Sequence, residues 1–146
     1  MKRNRVIGTT AETIAKEEDL LGRNLSESFR SWLLQNNGLD IEGVHIYPAR
    51  DERDIRKTWE SLAYNYENGW AAWLENFADD EIDFSHLLPF ADIGTGDYYC
   101  FDHSGEKDNG EVPVVIWLHE TGQTEFRAKD FNEFEKKVRS GEFDYD

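Results

Sequence analysis

The chain has little with which to cross-link, export or embed itself. Cys100 is its one cysteine among 146 residues, so no internal disulfide can form. That suits a reducing cytosol, and a buried free thiol in a strand is commonplace. No apolar run approaches the roughly 20 residues that a membrane-spanning helix needs. The first five residues are basic, but no apolar core follows them as in a signal peptide, so a cytoplasmic location is expected. Positive charge is also scarce. Sixteen Lys and Arg stand against 31 Asp and Glu, a net charge of −15. Residues 1–40 are balanced, 6 against 6, and residues 41–146 hold 10 basic side chains against 25 acidic ones. Such a body repels nucleic acid and anionic lipid and attracts basic protein surfaces. It also serves plain solubility.

Motifs for catalysis and ligand binding are missing too. His45, His86, His103 and His119 are spread out, with no HExxH and no Cys/His pairing, which argues against zinc. Gly94-Thr95-Gly96 lacks the third glycine, the lysine and the following helix of a phosphate cradle, and reads as a turn leading into a strand. Asp102-His103-Ser104 has the letters of a catalytic triad, but triad members come from separate segments. Asp79, Asp80, Glu81, Asp83 and His86 offer cation ligands without EF-hand spacing or a shaping glycine, so a solvated acidic turn is the plainer reading. With 31 acidic residues, chance carboxylate pairs are expected and say nothing by themselves of acid–base chemistry. The expectation is a protein that is no enzyme and needs no metal or cofactor.

What is present is material for a core: 38% of the residues are apolar, and aromatic residues make up 14% of the chain. No linker, repeat or boundary divides it, so one domain over residues 1–146 is expected. Thr9 or Thr10 can cap a first helix carrying Ala11, Ile14 and Ala15, which Gly22 stops. Ser26 opens a second, with Phe29, Trp32 and Leu33 on one face and Asn37-Gly38 at its end. Residues 41–47 alternate as a short strand before Pro48. From Asp51, Ile55, Trp59, Leu62 and Tyr66 form a stripe that predicts the longest helix, broken at Asn68-Gly69. A short helix follows, with Trp70, Trp73 and Phe77 at i, i+3, i+7, and leads into the acidic run.

Residues 98–101 are aromatic-rich, and residues 112–118 are apolar at almost every position. Val112, Val114, Ile116 and Leu118 point one way; Pro113, Val115 and Trp117 point the other. Such a strand is covered on both faces, or keeps one face for a partner. Asn109-Gly110 and Thr121-Gly122 supply turns, giving an antiparallel meander that ends near residue 127. Asp130 and Glu133 cap a last helix whose Phe131, Phe134 and Val138 form one apolar face. The tail, residues 140–146, is acidic and expected to fray.

These pieces carry a resemblance. Pro89-Phe90, Asp92, Gly96, Tyr98-Tyr99 and Phe101-Asp102, then residues 113–119, then Asp130-Phe131 and Phe134, resemble in order and spacing the SUKH superfamily. That group includes fungal cell-wall-synthesis regulators and many bacterial immunity proteins. Leu20-Leu21-Gly22 to Leu25, residues 29–34 and Asn37-Gly38 resemble it more loosely, and Ser26 stands where members usually have proline. The likeness spans about residues 10–139, weakest over 69–85. It implies a single SUKH-like α+β domain, an antiparallel sheet of four to six strands with helices packed against it. It also implies a cytoplasmic immunity protein that neutralises a cognate toxin by occluding it. The residue reading agrees, since nuclease toxins are basic. The alternative is an intracellular regulatory scaffold acting on self proteins such as cell-wall synthesis or signalling factors. Direct nucleic-acid or membrane partners are not expected. Aromatic anchors inside a charged rim are how tight interfaces are built. Trp70 and Trp73 beside Asp79, Asp80, Glu81 and Asp83, and the sheet rim at Asp97, Asp102, Glu106 and Asp108, are therefore the candidate binding residues. Each ring has a core alternative, strongest for Trp117.

Overall fold

The computed structural model describes residues 8–143. The basic start and the last three residues of the acidic tail lie outside them.

Helices α1 (Ala11–Leu21) and α2 (Glu27–Asn36) come first, then strand β1 (His45–Ile46). The short helices α3 (Ile55–Thr58), α4 (Leu62–Asn65) and α5 (Ala71–Leu74) follow, and then β2 (Leu87–Asp92), β3 (Tyr98–Asp102), β4 (Val114–Trp117), β5 (Thr124–Ala128) and α6 (Phe131–Arg139). The five strands pair antiparallel in chain order. The fold is thus α+β, and its strand number lies inside the expected range.

The caps form where the residues place them. The Thr10, Ser26 and Asp130 side chains accept from the amides of Thr13, Phe29 and Glu133, and Gly22 ends α1 in the left-handed conformation at φ 76°. At α6 the box is displaced by one position: the Glu133 carboxylate accepts the Lys129 amide at 3.0 Å.

Both faces of the sheet are covered. On one, Phe29 of α2 and Phe131 and Phe134 of α6 pack on Phe90, Phe101 and Tyr99. On the other, Trp70 meets Tyr98 and Trp117. Pro89 lies inside β2 beside a bulge, because Pro89 pairs with Cys100 and Ala91 with Tyr99. A bulge is where a ladder tolerates proline.

Two expectations are corrected. The strand over residues 41–47 is mostly a tight turn. Ile41 and Val44 bond each other across Glu42 (φ 46°) and Gly43 (φ 82°), leaving two residues of strand. Positive φ at both central positions is the hairpin geometry of a two-residue turn. The long helix from Asp51 does not form either. It breaks at residues 59–61, leaving Trp59 46% exposed. Ser61 caps a new start by accepting the Tyr64 amide, and the Pro48 carbonyl accepts the Leu62 amide. Asn68-Gly69, in turn, breaks nothing. The helical path runs from α4 through a π-turn (Tyr66–Trp70) into α5 and a 3-10 stretch (Glu75–Asp80). Gly69 is there for closeness: a Cβ would stand 3.2 Å from the Tyr98 hydroxyl.

Buried polar groups tie this path to the first helices. Glu17, 2% exposed, accepts the amides of Arg50 and Ala63. Asn37 bonds both the amide and the carbonyl of Ala49. Asp51 accepts from the Arg53 guanidinium and from Thr9. The Arg53 hydrogen bonds lower its pKa; burial opposes them, and Thr9 and the Arg53 amide assist, leaving it at about 2. A carboxylate whose folded pKa is depressed stabilises fully above its unfolded value and loses that stabilisation as pH falls through the folded one. Arg53 is half exposed, so solvent screening holds the contribution to about 1–2 kcal/mol. Asp51→Asn is expected to cost that much at pH 6 and progressively less as pH falls from about 4 to 2. Denaturant melts at a series of pH values check it; a constant difference contradicts it.

Candidate partner-binding surface

The helical path from α4 to Asp80 lays its aromatics on the sheet. Trp70 is 2% exposed, its ring 4.9 Å from Trp117 and 5.4 Å from Tyr98. It is a core residue rather than a protruding anchor, and Trp117, fully buried, is another. Trp73, one turn on, is only partly buried. It packs on the His119 ring at 5.1 Å and on Trp117 at 6.4 Å.

The structure brings Asp97 to this place. Its carboxylate accepts the His119 amide at 2.9 Å and lies 2.6 Å from His119 Nδ1. Gly96, at φ 102°, lets the backbone pass: a Cβ there would stand 3.0 Å from His119 and 3.2 Å from Trp73. Asp97, His119 and Trp73 thus form one cluster.

Asp102, Glu106 and Asp108 lie at the other end of β3, where Leu87 pairs with Asp102. They shape a loop. Asp102 accepts from the amide and hydroxyl of Ser104, and Glu106 pairs with His103 Nδ1 at 3.1 Å. Burial pushes the His103 pKa down, against the pull of Glu106. Among the described residues no three His, Cys, Asp or Glu side chains converge as metal ligands.

Asp79, Asp80, Glu81 and Asp83 are all exposed, the first two at the end of the helical path and the others on the turn that leaves it. Glu81 is left-handed at φ 54°, and Asp83 accepts the Ser85 amide, which holds its carboxyl below the usual range. No Lys or Arg occurs between Lys57 and Lys107, whereas eleven acidic residues do. The charge excess is therefore concentrated on this covering layer and the two strands beneath it.

A cleft of about 450 Å³ opens beside the acidic turn. Tyr66, Trp70, Leu74, Phe77, Ile82 and Phe84 wall it, with Ala71, Ala78, Glu81 and Ser85 at its borders. Reading residues 55–66 and 70–77 as separate helices hides it. Read through Gly69 as one helical path, Tyr66, Trp70, Leu74 and Phe77 form a single line, the signal that marks this wall.

The sequence pattern of the SMI1 / KNR4 family (SUKH-1) matches residues 8–137. The chain belongs to that family. A crystal structure of a protein from Pseudomonas syringae pv. tomato has the same fold at a TM-score of 0.59, with 16% identity, covering 94% of this chain and 88% of the other. No curated protein matches the chain. Among the described residues no helix is long and apolar enough to cross a membrane.

Proposed function

We propose that this member of the SUKH-1 family is a cytoplasmic immunity protein. It binds a cognate toxin with a basic working surface, a nuclease being the chemistry that fits, and neutralises it by occlusion rather than by catalysis. The supporting observation is the stretch between Lys57 and Lys107, eleven acidic residues with no Lys or Arg, which supplies the helical path on one face of the sheet and strands β2 and β3. Nucleases carry positive charge to hold phosphates, so such a surface competes with their substrate. Opposite charge also speeds encounter, and the gain falls with salt.

Asp79, Asp80 and Asp83 are the side chains to test, with Trp73 as the nearby ring. Replacing the three aspartates by asparagine is expected to leave folding stability within about 0.5 kcal/mol, as is usual for exposed positions. Association with the cognate toxin is expected to slow, and its salt dependence to flatten. Stopped-flow binding at two salt concentrations, beside a growth-rescue assay, checks both. Wild-type rates at both salts with full rescue would remove this surface from the interface and move attention to Asp97 and the Asp102 loop.

A further inference from the structure

We infer that the cleft beside the acidic turn is a docking groove for a segment of the partner protein that carries a bulky apolar side chain flanked by lysines or arginines. The inference rests on the protein-binding reading above and adds what the partner must present.

The walls supply the first half. Leu74, Phe77 and Phe84 are only partly buried, and Ile82 is 44% exposed at the mouth. An open apolar cleft of this size, rimmed by polar groups, is the form that binding sites take. Trp70 forms its floor and is held rigidly by Trp117 and Tyr98, so the groove is preformed.

Charge supplies the second half. Glu81 lines the groove, the exposed Asp79, Asp80 and Asp83 alternate in sequence with its lining residues Ala78, Glu81, Ile82 and Phe84, and Glu67 and Glu75 lie on the helical path. None of these six carboxylates has a salt-bridge partner among the described residues. Arg23 donates to the Ser85 carbonyl at 2.7 Å, and His86 lies close enough to Asp83 to help lower its carboxyl pKa. An anionic amphiphile would meet repulsion here. A neutral apolar segment would leave the carboxylates unanswered. A cationic segment with an apolar anchor satisfies both features.

The test uses ¹⁵N-labelled full-length protein and three synthetic hexapeptides, blocked at both ends: Lys-Lys-Leu-Phe-Lys-Lys, Ser-Ser-Leu-Phe-Ser-Ser and Lys-Lys-Ser-Ser-Lys-Lys. The first is expected to shift the amide signals of Ala71, Ala78 and Ile82 saturably, and to bind at least tenfold more tightly than either of the others. Ala78→Trp fills the groove from an exposed position without touching a charge, and is expected to weaken the first peptide at least tenfold. Ala71→Phe does the same from another exposed lining position, should Ala78→Trp not give a native spectrum. Equal binding of the all-Ser-flanked peptide, equal binding of the peptide lacking Leu-Phe, or shifts centred on another surface would each overturn the inference. The toxin separates the two readings. If Ala78→Trp and Ala71→Phe both hold the toxin at wild-type affinity while the triple asparagine variant does not, the groove inference fails and the acidic-surface reading stands. If the peptide docks but the wild-type protein binds no toxin encoded beside it, the immunity reading fails and the groove stands.

Discussion

Phe134→Ala is expected to remove about 3–5 kcal/mol of folding stability. Phe134 is fully buried on α6, its ring 4.8 Å from Tyr99, 5.3 Å from Phe90 and 6.0 Å from Phe131. A helix of nine residues has little stability of its own, so α6 stays helical because its apolar face is held by the sheet. Ile116, 3% exposed on β4 and paired with Tyr99, lies beneath the same helix, and Ile116→Ala is expected to cost about 2–5 kcal/mol. A domain holds only about 5–15 kcal/mol in total, so either loss would move a denaturant midpoint far, with an unchanged slope. Changes below about 1 kcal/mol would mean that α6 does not pack as described.

Glu17→Ala is expected to cost a similar amount, about 3–5 kcal/mol, for a different reason. One Glu17 oxygen accepts the Arg50 amide at 3.2 Å and the other accepts the Ala63 amide at 2.7 Å. Ala63 lies in the first turn of α4, where amides have no partner within the helix. Its neighbours are answered by the Pro48 carbonyl and the Ser61 hydroxyl, so Glu17 completes a cap built from three parts of the chain. Truncation leaves the buried Ala63 amide and the half-buried Arg50 amide unpaired, at about 1–3 kcal/mol each with the second at the low end, beside a small cavity. Glu17→Gln keeps the shape and one acceptor, and its cost is expected to be roughly half. Denaturant melts give the order, and hydrogen exchange at the Ala63 amide reports the site directly. Equal, small effects of both substitutions would show the carboxylate to be dispensable. The start of the helical path that carries the cleft depends on this contact, so Glu17 links stability to the proposed binding surface.

The features legible in the sequence are those whose causes are local. Thr10, Ser26 and Asp130 cap the helices that follow them, because a short oxygen-bearing side chain meets an amide three residues on. The two-sided burial of β4 is written in its apolar residues at both parities. The connection between β1 and β2 was harder, because its breaks are set by distant groups. Trp59 extends a helical stripe, yet it lies outside and packs on Tyr64, since the new helix starts where Pro48, Glu17 and Ser61 meet its amides. Gly69 looks like a breaker and is a contact point for Tyr98. The same holds for the site. The acidic turn is visible as composition, but the cleft needs the helical path to continue through Gly69 as far as its kink at Phe77, and Trp70 lies in the core because Trp117 and Tyr98 lie beneath it.

Cys100 sits on β3, the middle strand, with no exposed surface, and burial first and the nearby Asp102 charge second push its thiol pKa well above the ordinary value. Reactivity belongs to the thiolate, so the native protein behaves towards maleimides as though it had no cysteine. That makes the chain a ready-made scaffold for site-specific dyes: a second cysteine placed on the acidic turn would take the label alone. The sealed thiol then keeps a separate use. It becomes available only when the sheet opens, so a pulse of reagent counts the molecules that have lost their centre.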